Sequence, residues 1–488
     1  MMYHESKQKE QEHTAMDNMK QITNPYLPFW EYIPDGEPHV YGDRVYVYGS
    51  HDFFGGDVYC MGDYMGWSAP VNDLGDWRCE GVIYRKDQDP ENGDLQGNLY
   101  APDVTQGPDG RYYLYYVLSS KGFVSVAVSD SPAGPFEFYG YVHHADGVRL
   151  GDRAGDEPQF DPGVLTEGDR TYLYTGFCGY GDKSRHGAMC TVLGPDMLSI
   201  VEETRFVAPG VMYSEGSGFE GHEFFEAPSI RKNGDLYYFI YSSIKFHELC
   251  WAVSKKPTEG FTYGGVIVSA CDDGIDTYKP AAKPMYYTAN NHGSIAKING
   301  QWYIFYHRHT NGTNYSRQGC LERLTILPDG TIVQAEITSC GGKDTPLRGE
   351  GWYPANIACH LFTDTEVTYV PWSGWMSDSF PKITQTCSGH ADPEPLIANM
   401  RSSATAGFRY FDMKGLKSVT IRTKGYARGK MEIRTAWDGE AIGSVPIGYA
   451  NVWHDETTEV SIPDGITSLY FTFVGDGHLQ FAGFTLNQ

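Results

Sequence analysis

Five times along the chain a short polar turn is followed by a run in which aromatic and aliphatic residues alternate with smaller or polar ones. The clearest copy is Phe160–Gly176, with Phe-Asp-Pro-Gly-Val-Leu, a turn at Glu167–Asp169, and then Arg-Thr-Tyr-Leu-Tyr-Thr-Gly. The other copies are Tyr41–Ser50, Pro108–Val117, Lys232–Ser242 and Ile298–His307. Period-two alternation behind a Gly-Asp turn predicts a β-hairpin whose second strand is half buried. The equivalent residues Arg44, Arg111, Arg170, Asp235 and Gln301 stand 67, 59, 65 and 66 residues apart. A repeat of that length is one supersecondary unit that must stack on its neighbours to bury its faces. A four-stranded blade fits, so five copies predict an all-β, five-bladed β-propeller.

The pattern divides the rest of the chain. Residues 1–23 are polar and charged and read as a disordered or weakly helical lead-in. The propeller is expected over residues 24–340. A Gly-rich, charged break at Ser339–Gly351 marks the domain boundary, and residues 341–488 read differently. Short alternating strands such as Ser418–Thr423, Lys430–Thr435 and Ser468–Val474 predict a β-sandwich there.

Composition narrows the chemistry. Of 488 residues, 14% are aromatic, with 36 Tyr, 10 Trp and 57 Gly, which suits a turn-rich β protein and allows sugar-stacking surfaces. A net charge of −24 without basic clusters argues against nucleic acid and anionic membranes as partners, and is compatible with a neutral oligosaccharide. No apolar run approaches membrane-spanning length. Ten cysteines show no CxxC pair, and the N-terminal stretch has no apolar signal core. A cytoplasmic protein with reduced, mostly packed thiols is the expectation. Oligomeric state is not legible.

The slot nine residues upstream of each turn carries the function. It holds Asp35, Asp161, Glu226 and His292 in four copies, and in the second copy Asp103 lies eight back. The first strand of each propeller blade lines the axis, so these ionisable groups should converge there. A lone carboxylate is usually solvated surface. Carboxylates gathered at one pit raise some pKa values and call for a use. Without a Ser–His–Asp order or a zinc spacing, glycosidic bond hydrolysis fits, since it needs one carboxylate to activate water and one protonated carboxyl to assist departure.

These residues resemble glycoside hydrolase family 43. The matching pieces are Asn24-Pro25 with Ile33-Pro34-Asp35, Tyr46–Asp52, Tyr100-Ala101-Pro102-Asp103, Phe160-Asp161-Pro162-Gly163, Phe225-Glu226-Ala227-Pro228, Asn290–Ser294 and Tyr306-His307-Arg308. The resemblance implies an inverting mechanism with Asp35 as general base, Glu226 as general acid and Asp161 tuning and orienting the acid. It further implies substrate contacts from Asp103, Arg317, His51 and Asp52. His292 would face a structural calcium ion or its waters in the central channel, and no organic cofactor is implied. The tail, with Ala404–Phe411 and Trp437-Asp438-Gly439, resembles a family 6 carbohydrate-binding module, or else a packing partner without sugar binding. The expected activity is exo-acting release of terminal α-L-arabinofuranosyl units from plant-derived oligosaccharides. A β-D-xylosidase and a non-catalytic glycan-binding propeller are the alternatives.

Overall fold

The structure, a computed structural model, describes residues 22–365, 370, 375–388 and 392–488. Most of the lead-in expected over residues 1–23 lies outside the described residues.

Five four-stranded antiparallel sheets follow one another in chain order. Blade 1 holds Glu37–Tyr41, Arg44–Tyr48, Tyr64–Pro70 and Arg78–Tyr84; blade 2 holds Leu99–Gln106, Tyr112–Leu118, Ser125–Ser129 and Glu137–Tyr141. Blade 3 holds Gly163–Glu167, Arg170–Thr175, Gly187–Leu193 and Ile200–Pro209. Blade 4 holds Phe224–Asn233, Leu236–Ser243, Glu248–Ser254 and Thr262–Ser269. Blade 5 holds Ile295–Ile298, Gln301–His309, Arg317–Ile326 and Ile332–Val333. The repeated aromatic run is the second strand of every blade. In blade 3 the hairpin turns where Arg170 pairs Glu167.

Those second strands differ from expectation in one respect. They are buried on both faces, because blades stack face to face. In blade 4, Tyr238 and Ile240 pack toward Ile304 and Tyr306 of blade 5, while Phe239 and Tyr241 pack toward Tyr174 of blade 3. Each alternation therefore feeds two inter-blade cores, and each fully buried side chain of this size stabilises by about 1.5–3 kcal/mol. This accounts for the near absence of polar residues in the runs.

The ring closes between its first and last blades. Gly36 bridges Gly293 in parallel, and Tyr26 donates its backbone N–H to Gly319 O at 3.3 Å. The Asn24 side-chain amide donates to Leu321 O at 3.1 Å and to Glu322 Oε1 at 2.7 Å. Blade-to-blade approach at the axis is tight. A Cβ on Gly163 would stand 2.3 Å from Pro228 O, so glycine lets blade 3 reach the strand that carries Glu226.

Past residue 346 the described residues form a second, sheet-rich unit of ten strands around one hydrophobic core. The short strands expected at 418–423 and 430–435 are a single 17-residue strand, Ser418–Arg434. The one expected at 468–474 is part of the 23-residue strand Gly465–Asn487. That strand pairs in turn with Thr405–Met413, Ser418–Arg434, Pro395–Met400 and Gly351–Pro354. Glycines at 425, 429 and 483, all in the left-handed half of φ, let these long strands change direction without breaking. The core of this unit takes in Tyr286, Tyr287 and Ala289 from the propeller, so the two units share apolar interior. The ten cysteines form no disulfide with one another, and eight are buried.

Candidate active site

At one end of the axis lies a pocket of about 200 Å³. Asp35, Asp161, Glu226, His292 and Arg317 line it, together with Tyr59, Cys60, Tyr100, Phe160, Phe177 and Asn290. The blade entries that deliver the carboxylates share an unusual backbone. Asp35 (φ 58°), Asp161 (φ 45°) and Ala227 (φ 62°) are all left-handed, which costs an L-residue on the order of 1 kcal/mol each. Asp35 and Asp161 stand two residues ahead of the first strands of blades 1 and 3, and Ala227 lies at the register shift next to Glu226 in the first strand of blade 4.

Asp35 sits in a fixed cationic and imidazole setting. Arg317 Nη1 donates to Asp35 Oδ1 at 2.9 Å. The Asp35 backbone N–H donates to His307 Nδ1 at 3.3 Å, while His307 Nε2–H donates to Asn290 O at 2.9 Å, which fixes the histidine tautomer. Burial acts to raise the Asp35 pKa, but the charge of Arg317, with His307 and His292 nearby, holds it well below the usual carboxylate range. Arg317 is itself held by Asp52, with Nε to Oδ2 at 2.8 Å and Nη2 to Oδ1 at 3.1 Å, and its guanidinium lies 4.8 Å from the Tyr59 ring centre.

Glu226 is the opposite case. Burial first, and the Asp35 charge second, push its carboxyl up to about 8, against the pull of Arg317 and a hydrogen bond from Asn290. Asn290 is oriented by His309, whose Nε2 meets Asn290 Oδ1 at 2.8 Å. Asp161 is also pushed well up, by burial, Glu226 and Asp35, although the Ala227 N–H donates to it. Asp161 and Glu226 are therefore both biased toward the protonated form. Besides Asp161, which interacts electrostatically with Glu226, the Asp35 charge acts on the acid. Two carboxyls kept protonated beside one kept ionised is the asymmetry that acid–base cleavage across a bond requires.

Of the expected substrate contacts, only Arg317 lines the pocket. Asp103 lies one layer down the channel. Its Oδ1 meets His39 Nε2 at 2.6 Å and its Oδ2 accepts the Val164 N–H at 2.8 Å, so its carboxylate is spoken for. A β-bulge between Tyr100 and Asp103 shifts the register, and blade 2 instead presents Tyr100 and Ala101 to the pocket. Asp52 is fully engaged by Arg317 and by the Cys60 N–H. His51 is turned toward Glu31 Oε1, 3.1 Å from its Nε2, and toward Asp63 O. Tyr100, Phe160 and Asn290 are immediate neighbours of motif residues and could have been inferred from that adjacency. Tyr59, Cys60 and Phe177 sit in connections with no periodic signal.

His292 is buried at the pocket floor. Its Nδ1 stands 3.6 Å from Asp161 Oδ2 and 3.9 Å from Asp35 Oδ1, and its Nε2 stands 3.9 Å from Glu37 Oε1. Burial lowers its pKa to about 4, so the ring is neutral. Glu37 Oε1 is buried without a hydrogen-bond partner, whereas Oε2 accepts from Arg231 Nη2 at 2.6 Å and from Ser229 Oγ at 3.0 Å. Glu37 Oε1, without a hydrogen bond, can offer an oxygen to a hard cation, with the neutral His292 nitrogen meeting a water of that ion's shell.

The sequence profile of glycosyl hydrolases family 43 matches residues 34–332, which span all five blades. The chain belongs to this family. It is 64% identical, over 96% of its length and 99% of the relative's, to a xylosidase/arabinosidase of Thermoclostridium stercorarium. A family 43 arabinoxylan arabinofuranohydrolase from Bacillus subtilis, solved with cellotetraose, shares the fold over 96% of this chain and 98% of its own, with a TM-score of 0.52 and 22% identity. A family 43 β-xylosidase/α-arabinofuranosidase from a compost metagenome, solved with xylotriose in a calcium-free form, covers 64% of this chain and 97% of its own, with a TM-score of 0.50 and 27% identity. The family 43 protein described here is thus a glycoside hydrolase with a carbohydrate substrate.

Proposed function

We propose that this family 43 enzyme removes terminal α-L-arabinofuranosyl units from short plant-derived oligosaccharides, with net inversion. The observation that carries the reading is the split between Asp35, held ionised by Arg317, and Glu226, kept protonated to about pH 8. Asp35 orients the attacking water and takes its proton as the bond to the anomeric carbon forms. Arg317 keeps Asp35 charged at the expense of basicity, so placement of the water matters more than proton affinity. Glu226 donates to the departing glycosidic oxygen, with Asn290 fixing its carboxyl. Asp161 stands beside Glu226 as its tuning and orienting neighbour and is anchored by the Ala227 N–H across the blade boundary. A pocket of about 200 Å³ suits a single pentose unit, which favours exo action. Glu37 Oε1, with His292 facing the ion's waters, would hold a calcium ion, which when bound supplies structure and positive charge beneath the carboxylates. A cytoplasmic site of action, on imported oligosaccharides, goes with this reading.

The β-D-xylosidase reading has its own support, because the relatives carry both names. Nitrophenyl α-L-arabinofuranoside and β-D-xyloside, assayed side by side, decide between them, and the anomer first released, read by NMR, tests inversion. Glu226→Ala should lower kcat about 10²–10⁴-fold on an oligosaccharide. Full activity in that variant, or none in the wild type on any pentoside, would remove the hydrolase reading and leave a glycan-binding propeller.

A further inference from the structure

Two pocket side chains, Arg317 and Asn290, sit at the ends of chain segments whose outer sides are covered by the C-terminal unit. Residues 310–316 form the connection between the second and third strands of blade 5 and run directly into Arg317. The C-terminal strand Lys382–Gln385 grips this connection: Asn311 donates its backbone N–H to Ile383 O at 2.7 Å, and Thr384 Oγ1 donates to Asn311 Oδ1 at 2.5 Å. One residue on, the Met376 N–H donates to Gly312 O at 2.7 Å. Gly312 is left-handed (φ 67°), and a Cβ there would lie 3.2 Å from the Met376 Cβ, so the contact is close enough to demand glycine.

The same C-terminal strand reaches the other side of Arg317. Tyr32 Oη donates to Gln385 Oε1 at 2.7 Å, and the Tyr32 carbonyl accepts the Asp52 N–H at 3.0 Å. Asp52 is the carboxylate that holds the Arg317 guanidinium. One four-residue strand thus fixes both Arg317 and its partner.

The acid side is backed in parallel. The segment that ends in Asn290 is held by Leu361 N–H to Met285 O and Val370 N–H to Thr288 O, both at 2.9 Å. Phe380 packs edge-on to Tyr287, with ring centres 5.5 Å apart, and Tyr286 Oη donates to the His309 carbonyl at 2.9 Å. His309 orients Asn290, which bonds Glu226.

We infer that the C-terminal unit braces the catalytic pocket from behind its lining, with Lys382–Gln385 and Phe380 acting as positioning residues for Arg317 and Asn290. The inference rests on the pocket being the site of hydrolysis. Groups held to within a fraction of an ångström lose effectiveness steeply when their support relaxes, so the effect should be seen in turnover and sugar affinity more than in folding.

The test uses the full-length protein with Thr384→Val, Thr384→Ser and Phe380→Ala. Thr384→Val should lower kcat/KM about tenfold, the scale of one lost buried hydrogen bond, with Thr384→Ser close to wild type. Phe380→Ala should weaken kcat through Asn290 and Glu226, with less change in KM. Pentose affinity by titration calorimetry should fall in Thr384→Val, and this readout stands even if no pentoside is turned over. Failure of the hydrolase reading would therefore be seen separately. If the variants lose thermal stability but keep kcat, KM and pentose affinity within about twofold of wild type, the unit only stabilises the fold and the inference is overturned.

Discussion

The pocket and the channel layer beneath it are built from the same repeat positions, a few residues apart, yet they give their carboxylates different partners. In the channel, Glu37 and Asp103 are paired with Arg231 and His39, at 2.6 Å in each case. At the pocket floor, only Asp35 is given a cation, and Asp161 and Glu226 are buried with none of their own. The three left-handed residues Asp35, Asp161 and Ala227 also belong to the upper level. The comparison shows where the fold spends stability. The lower layer gives Glu37 and Asp103 partners on neighbouring strands, although burial and the Asp103 charge still push Glu37 up to about 8 and its Oε1 has no hydrogen bond. The upper layer leaves two carboxyls in an environment that favours the proton, and that tension is what a general acid needs.

The contrast can be broken first at Glu226. Its folded pKa of about 8 lies above its ordinary value of 4.5, so the native chain keeps a proton that the unfolded chain releases. Any stability tied to the protonated form is fully present below pH 4.5 and is lost as pH rises through about 8. Glu226→Gln should therefore melt higher than wild type, by a margin that widens from pH 5 to pH 8 in thermal scans. In the wild type, kcat/KM should fall as pH rises through about 8, whereas Asp35 stays ionised throughout the acid range. A flat stability difference across that range would mean that Glu226 is an ordinary carboxylate.

Arg231→Met tests the lower layer. It strips the cation from buried Glu37, and breaking such a pair costs about 3–5 kcal/mol, readable by urea denaturation. Turnover of the fraction that folds should change little. A collapse of kcat with stability intact would make the channel layer part of the chemistry.

The smallest effect is expected at Asp103. Asp103→Asn loses a charge-assisted bond to His39 but keeps the Val164 contact, for about 1–2 kcal/mol of stability. KM should stay at the wild-type value. A raised KM with unchanged stability would return Asp103 to the sugar, as its place in the repeat had suggested.

That misplacement shows how much the chain could disclose. The five hairpins were legible because each blade's second strand is sandwiched between two neighbours and must alternate large residues on both faces. Asp35, Asp161 and Glu226 were legible because they precede those strands at a constant interval. Asp103 breaks the interval by one residue, and the bulge behind it turns its side chain away from the pocket. A one-residue shift exchanges the faces of a strand, which spacing alone does not show. Tyr59 and Phe177 lie in connections whose course is set by contacts distant in sequence, such as Tyr59 against Tyr315 and Phe177 against Phe225. The bracing of Arg317 by Thr384 and Gln385 was hidden for the same reason. In the second unit, Gly425 and Gly429 lie between the two short strands expected and are points where one long strand bends without ending.

The latch at Asn24 sets the order in which the molecule can be completed. Its side chain is bonded to Leu321, Glu322 and Thr338, partners that leave the ribosome about three hundred residues later. Until then the nascent blades form an open arc with an exposed edge at either end, and closure is a long-range step of the kind that slows folding. Deleting only the residues up to Leu27 should thus leave every blade's hairpins intact and yet produce an arc that cannot hold its ends together.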